Sequence, residues 1–234
     1  MGRAKRIDAG GYVYHVINRA NGRMTMFEDD ADYAAFERIV WQAQQRTGMR
    51  ILNWCLMPNH WHLVVWPKDD GQLSRFVGWL TLTHTQRWHA HRHTTGEGHL
   101  YQGRYKSFIV QTDSYLWAVC RYVERNALRA KMVKRAEDWR WGSLWRWVNR
   151  RKAREEVPEL SDGPLERPRN WVERVNRAES EAELEALRAS VNRGRPYGAE
   201  DWVKRTVTKL DLQTTLRPRG RPKIAKTKTN IKGS

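Results

Sequence analysis

Hydrophobic and polar residues follow two different periods along the first two thirds of the chain. Four short segments are rich in β-branched and aromatic residues, which is typical of strands: 11–18, 49–57, 60–66 and 104–110. Three longer segments repeat apolar residues every three or four positions, which predicts helices: 29–46, 71–91 and 113–130. The Pro58-Asn59 pair separates the second strand from the third and predicts a hairpin.

The resulting order is β-α-β-β-α-β-α, and its first six elements are those of a split βαβ, ferredoxin-like sandwich. We therefore expect an α+β fold in which an antiparallel sheet carries helices on one face. The seventh element, the helix at 113–130, is an addition to that sandwich.

The sequence changes character near residue 150. Charged residues and prolines predict a linker at 150–168, and helical patterns follow at 171–192 and 199–210. Ser180 and Glu183, within the first of these patterns, match a capping box. We therefore expect three parts: a domain at 1–149, a helical C-terminal extension at 150–216 and a basic tail at 217–234.

The basic tail contains seven basic residues and no acidic one. Its segment RPRGRPK (217–223) resembles an AT-hook, in which an extended Arg-Gly-Arg lies in a narrow A·T minor groove. In that interpretation Arg217, Arg219 and Arg221 contact DNA. A generic basic tail that binds backbone phosphates explains the same residues, so both interpretations stay open.

Charge narrows the class of partner. The 234 residues include 43 Lys+Arg against 26 Asp+Glu, a formal net charge of +17. A chain this basic is expected to bind a polyanion, and nucleic acid comes first because neutralising phosphates releases counterions. No segment approaches the roughly 18 apolar residues of a membrane span, and the charged N-terminus leads into no signal-peptide segment. The two cysteines form no CxxC pair, which fits a reducing compartment, so we expect a cytoplasmic protein.

Candidate chemistry begins with two histidines on the third predicted strand. His60 and His62 are two residues apart, and side chains at that spacing share one face of a strand. Two imidazoles on one face suit a divalent metal ion. By themselves, however, two such histidines also fit a solvent-facing strand.

A second pair of polar residues lies on the additional helix. Tyr122 and Asn126 are four residues apart and therefore share a helix face. The amide oxygen of Asn is a ligand suited to Mg²⁺ or Mn²⁺, and Tyr can serve as a nucleophile when a metal ion on the reacting phosphate assists it. Taken alone, Tyr122 is better explained as an aromatic that packs the helix onto the sheet, and Asn126 as an ordinary residue near the C-terminal end of the helix.

Other residues compete for these roles. Tyr115 and Tyr105 are rival nucleophiles, although Tyr115 has Val and not Asn four residues later. His15, on the first strand, would lie near the metal or simply pack in the core. Four basic residues flank the strands and would face DNA if this sheet face holds the site: Arg19, Arg23, Arg104 and Lys106.

The combination resembles a known family. The segment LMPNHWHLVV (56–65) looks like the histidine–hydrophobic–histidine motif of single-tyrosine HUH transposases, and RYVERNALRA (121–130) resembles their tyrosine helix. Within that family the chain is most similar to the REP-associated tyrosine transposases, and segments 101–106 and 139–145 share the likeness. The resemblance covers roughly residues 7–147.

The resemblance implies a function and a set of site residues. Tyr122 would attack single-stranded DNA at hairpin-forming palindromes and form a 5′-phosphotyrosine link, and a 3′-hydroxyl would later reverse the step. His60, His62 and Asn126 would hold the divalent metal, Mg²⁺ or Mn²⁺. The family often has Pro after the Asn, whereas this chain has Ala127, which continues a helix more easily.

The resemblance and the chain's other features also indicate the binding partners, the cellular location and the oligomeric state. The protein would act on DNA at the bacterial nucleoid and would make no membrane contact. The C-terminal extension favours a monomer over a homodimer. Two alternatives stay open from the sequence: a non-catalytic nucleic-acid-binding protein derived from a transposase, and a nuclease that acts on RNA.

Overall fold

The computed structural model describes residues 7–149 and 155–217. The four strands are β1 (Val13–Arg19), β2 (Arg50–Met57), β3 (His60–Trp66) and β4 (Lys106–Val110). The helices of the first part are α1 (Asp30–Thr47), α2 (Gln72–His91), α3 (Ser114–Glu124), α4 (Asn126–Arg129) and α5 (Ser143–Val148). Those of the second part are α6 (Trp171–Asn176), α7 (Glu181–Arg193) and α8 (Glu200–Lys209).

Helix α1 shows why these segments form where they do. The carboxylate of Asp29 accepts hydrogen bonds from the backbone N–H groups of Ala31 and Asp32, which satisfies two donors that the first turn leaves unpaired. Gly48 ends the helix in the left-handed conformation (φ 65°), which a residue without a Cβ adopts at little cost. Both ends agree with the sequence prediction.

The four strands form one antiparallel sheet in the order β2-β3-β1-β4. In this order β1 lies in the centre beside β3, as two split βαβ units require. The predicted α+β, ferredoxin-like class is therefore confirmed.

The two faces of the sheet are covered by different helices. Side chains such as Val16 and Leu63 pack with Phe36 of α1 and Phe76 of α2 on the first face. Side chains that point the other way, including Val13, Val64 and Cys55, pack with apolar residues of α3. The additional helix therefore covers the face that a plain ferredoxin-like sandwich leaves open.

The predicted helix at 113–130 is interrupted. It divides into α3 and α4 at Arg125, which keeps right-handed helical dihedral angles (φ −82°, ψ 0°). The two helices follow one another with this single residue between them, and Asn126, four residues after Tyr122, is the first residue of α4.

The prediction of a single helix at 171–192 was wrong. Helix α6 ends at Asn176, and α7 begins after Ser180, whose extended backbone and capping box with Glu183 start a new helix. The capping box thus marks a helix start, because its N-cap residue has non-helical dihedral angles.

The C-terminal helices share their core with α3. Trp171, Val175 and Leu187 belong to the same buried cluster as the apolar residues of α3 and the sheet. The domain boundary at 149/150 stays a prediction. Within the described residues, no helix is long and apolar enough to cross a membrane. Of the tail predictions, Arg219 and Arg221 lie outside the described residues.

Candidate active site beneath helix α3

The strand register brings the two predicted metal ligands to the face that α3 covers. His62 lies opposite Ile17, and His60 lies opposite Arg19, in the antiparallel pair of β1 and β3. The imidazole centroids of His60 and His62 are 5.0 Å apart. The prediction that both side chains share one face is therefore confirmed.

Tyr122 of α3 lies against one of these two histidines. Its ring contacts the His62 imidazole edge-on, with centroids 5.9 Å apart and an interplanar angle of 87°. The Tyr122 side chain is only partly buried, unlike its neighbour Val123. Tyr122 therefore packs on the sheet and also borders solvent, where a substrate can reach it.

His15 is a component of the site that the sequence did not separate from ordinary core packing. Its Nε2 lies 2.8 Å from Nδ1 of His62, and both side chains are buried. Asn59 has a similar relation to His60, since its Oδ1 lies 2.6 Å from His60 Nδ1. Each site histidine thus has its Nδ1 engaged by a neighbour, which leaves Nε2 as the nitrogen for a ligand.

Electrostatics keep these imidazoles uncharged. Burial lowers the pKa of His60 to about 4, with further lowering from the nearby cations of Arg19 and Arg129. Burial also lowers the pKa of His15 to about 3 and holds the pKa of His62 well below its usual range. The neutral form is the one whose nitrogen lone pair binds metal ions.

Asn126 lies at the start of α4, one turn after Tyr122, and is buried. Its amide nitrogen has no hydrogen-bond partner among the described residues. A buried amide nitrogen without a partner is costly, and its N–H groups suit an acceptor such as a water or a phosphate oxygen, while the amide oxygen is the atom that can bind a metal ion. Two neutral imidazoles and an Asn amide fit a divalent metal ion by chemistry.

The described part of the site does not contain a complete metal cluster of the usual acidic or thiolate type. Across residues 7–149 and 155–217, no group of three or more His, Cys, Asp or Glu side chains is arranged to hold a metal ion. A metal here would therefore need the amide of Asn126 and further oxygen ligands from outside the protein.

Arg129 is a second component that the sequence analysis missed. Its guanidinium carbon lies 4.3 Å from the centroid of the Tyr122 ring, and its Nη1 donates to the Tyr122 carbonyl oxygen at 3.4 Å. Arg129 follows Tyr122 by seven residues, which is about two helical turns. That spacing puts both residues on one helix face, and it is the sequence signal that could have identified Arg129.

Three of the four basic residues predicted to face DNA lie together. Arg19, Arg104 and Lys106 line a cavity of about 270 Å³, which Asn192 of α7 also borders. Arg19, which lines this cavity, lies opposite His60 in the register of β1 and β3. Arg23 does not line this cavity and lies in an exposed turn. Its backbone carbonyl oxygen accepts a hydrogen bond from the Asn59 side chain. Arg217 is exposed, and its carbonyl oxygen accepts from Arg193.

The rival nucleophiles lie elsewhere. Tyr115 packs edge-on against Tyr197, with ring centroids 5.3 Å apart. Tyr105 is buried in the core on the opposite side of the sheet, with its hydroxyl 3.5 Å from Ser74 Oγ. Of the three candidate tyrosines, Tyr122 is the one beside the paired histidines.

Comparison with known proteins gives the family. The model of the family described as "Transposase IS200 like" matches residues 9–126, about half of the chain. The chain belongs to the IS200-like transposase family. The matched part of this transposase includes both site histidines and Tyr122, and it ends at Asn126.

A solved structure agrees with the fold, and a second match is weaker. The REP-associated tyrosine transposase bound to a REP hairpin superposes with a TM-score of 0.54 at 17% identity, over 70% of this chain and 96% of that one. A protein assigned as a transposase from Deinococcus radiodurans R1 has a TM-score of 0.38 at 19% identity, over 53% of this chain and 95% of that one. A search of curated proteins found no match.

Proposed function

We propose that this IS200-like transposase is a metal-dependent endonuclease and strand transferase that acts on single-stranded DNA through a 5′-phosphotyrosine at Tyr122. The observation that supports the proposal most is the position of Tyr122, whose ring contacts His62 at 5.9 Å on the face that His60 shares. Tyr122 on the helix and the two histidines on the strand are about 60 residues apart in sequence, yet they lie together in the fold. Attack by Tyr122 on a phosphate at a metal ion held by the histidines would need this proximity.

In this proposal the Tyr122 hydroxyl attacks the phosphorus of a phosphodiester. The new bond joins the tyrosine oxygen to phosphorus, and the bond from phosphorus to the 3′-oxygen breaks. The Tyr122 hydroxyl gives up its proton as the bond forms, and the departing 3′-oxygen takes up a proton to become a 3′-hydroxyl. A 3′-hydroxyl later attacks the phosphotyrosine, which releases the Tyr122 hydroxyl and rejoins the strand.

His60, His62 and Asn126 would hold a Mg²⁺ or Mn²⁺ ion. When bound, such an ion supplies neutralisation of phosphate charge and stabilisation of the leaving oxygen. His15 and Asn59 would orient the two imidazoles through their Nδ1 atoms.

The substrate would be a hairpin-forming palindrome. The REP-associated relative is bound to a REP hairpin, which supports a substrate of this kind for the present chain. The cavity of Arg19, Arg104 and Lys106 would bind phosphates next to the histidines, and Arg217, Arg219 and Arg221 would add contacts from the tail. We propose a monomer that works on DNA at the bacterial nucleoid.

The test is covalent capture of DNA. Full-length protein is incubated with a single-stranded hairpin and Mn²⁺, and a denaturing gel reveals any protein–DNA adduct. Tyr122→Phe should bind the hairpin with unchanged affinity and form no adduct, and chelation of the metal should abolish the adduct.

Tyr115→Phe is the matched control, because it removes a hydroxyl from the same helix without touching the histidines. An adduct that survives Tyr122→Phe would contradict the assignment of the nucleophile. Hairpin binding without any adduct from the wild-type protein would favour the alternative, a non-catalytic DNA-binding protein.

A further inference from the structure

A buried carboxylate from the C-terminal extension lies at the end of the tyrosine helix. Glu179 precedes α7, and its side chain is 1% exposed. It accepts a hydrogen bond from Arg125 Nη1 at 3.1 Å and another from Arg129 Nη1 at 3.0 Å. We call these three residues the Glu179 bridge. A carboxylate this deeply buried is stable only when cations pair with it, so the bridge defines the positions of both guanidinium groups.

One arm of the bridge reaches the proposed nucleophile. The Arg129 guanidinium that binds Glu179 also lies 4.3 Å from the centre of the Tyr122 ring and donates to the Tyr122 carbonyl oxygen. An arginine side chain has several rotatable bonds, and its planar group keeps one orientation when it is bonded on more than one side. Glu179 therefore holds Arg129 in the orientation in which it covers the Tyr122 ring.

The bridge also spans the point at which the helix divides. Arg125 is the residue at which α3 ends and α4 begins, and Arg129 lies at the end of α4. Glu179 joins the two residues from outside the helix. At this junction Arg125 binds Glu179, whereas Arg129 binds Glu179 and also covers the Tyr122 ring.

We propose that Glu179 is a positioning residue for the transesterification, acting through Arg129 to fix the Tyr122 ring over the histidines. The inference rests on the proposed function of Tyr122 and adds to it a role for the C-terminal extension. In this proposal, the segment between α6 and α7 helps to position the nucleophile of its own chain.

The two arms of the bridge provide a matched pair of variants. Arg125→Gln and Arg129→Gln each remove one cation from the same carboxylate, and their side chains are similarly exposed at 15% and 22%. Of these two arginines, Arg129 is the one that covers the Tyr122 ring. Arg129→Lys serves as a third variant, because it keeps the charge near the histidines and the partner for Glu179 but loses the planar group.

The experiment measures the single-turnover rate of adduct formation at saturating hairpin and Mn²⁺, together with hairpin affinity and melting temperature. Because small misplacements of a reacting group cost up to about 100-fold in rate, we expect Arg129→Gln, Arg129→Lys and Glu179→Gln to slow the step roughly 10- to 100-fold. Arg125→Gln should change the rate less than about threefold despite a similar fall in melting temperature, and hairpin affinity should be preserved.

Glu183→Gln is a further control for the extension. Glu183 pairs with Arg121 of α3 at 2.7 Å, but Arg121 does not cover Tyr122, and Gln preserves the capping box. We expect no loss of rate. Glu179→Asp should recover part of the rate that Glu179→Gln removes.

A second readout does not need activity. With 3-fluorotyrosine at position 122, the ¹⁹F resonance should shift in Arg129→Gln and in Glu179→Gln and stay in place in Arg125→Gln. Equal rate losses in the two arginine variants, or an unmoved resonance in Glu179→Gln, would overturn the proposal. Failure of the proposed function would look different, since Tyr122→Phe would then still form adduct, or the wild type would form none, while the resonance still reports on the bridge.

Discussion

Replacing His15 with Phe tests how the site prepares its metal ligands. The change removes the nitrogen that lies 2.8 Å from His62 Nδ1 and leaves an aromatic ring of similar size. The new ring has an apolar neighbour, since Phe108 already packs against His15 with centroids 4.8 Å apart. The perturbation is therefore confined mainly to the missing hydrogen bond.

Two effects are expected from the geometry. His62 is 2% exposed, so its Nδ1 loses its hydrogen-bond partner without gaining water, at a cost of about 1–3 kcal/mol in the free energy of unfolding. Loss of a bond that orients a metal-binding histidine typically weakens metal affinity about 10- to 100-fold. That range corresponds to about 1.4–2.8 kcal/mol of binding free energy.

Isothermal titration with Mn²⁺ measures the affinity, and thermal unfolding measures the stability. The control is His84→Phe, because His84 is also buried and its Nδ1 lies 2.6 Å from the Tyr101 hydroxyl, away from the site. We expect both variants to lose stability and only His15→Phe to lose Mn²⁺ affinity. Equal Mn²⁺ affinity in His15→Phe and wild type would refute the reasoning about His62.

Two further predictions concern pH and salt. Burial lowers the pKa of His84 and of His15 to about 3, below the ordinary value of 6.5. Between these two pH values, the unfolded chain therefore binds more protons than the folded protein does. The free energy of unfolding should thus fall as pH drops from about 6.5 towards 4, by about 1.4 kcal/mol per pH unit for each such histidine. Urea denaturation across this range should show a shallower slope in His84→Gln, and an unchanged slope would contradict the prediction. For DNA, Arg104→Gln should weaken hairpin binding and reduce the slope of log affinity against log salt by about 0.7–0.9 for each phosphate that the variant no longer neutralises. Arg23→Gln, which lies outside the cavity of Arg19 and Lys106, should have a smaller effect, and equal effects would argue against that cavity as the phosphate site.

The elements of the fold were predictable because their signals are local. Alternation and helical spacing indicated the strands and helices, and Asp29 and Gly48 marked the ends of α1. The division of 171–192 was missed because apolar spacing continued through Ser180, although its capping box was visible. A capping box inside a segment of helical apolar spacing therefore predicts that a new helix starts there.

The site was predictable only in part. His60, His62, Tyr122 and Asn126 stood out because their spacings put them in pairs on a strand and on a helix. The contact of His15 with His62 depends on the register of β1 against β3, which joins residues 47 positions apart. Glu179 lies 50 positions from Arg129, and no periodic pattern connects them. Long-range pairing of this kind depends on tertiary packing, which the local sequence does not reveal.

The central claim is tested most directly by locating the covalent bond. Trypsin separates the three candidate tyrosines, because it cuts after Arg104, Lys106, Arg121 and Arg125 and so leaves Tyr105, Tyr115 and Tyr122 in different peptides. The adduct formed with hairpin DNA and Mn²⁺ is digested with nuclease and trypsin, and its peptides are identified by mass spectrometry. The account predicts a nucleotide phosphate on Tyr122 in the four-residue peptide YVER (122–125). The same modification on the peptide that carries Tyr115 or Tyr105, with an unmodified Tyr122, would contradict it.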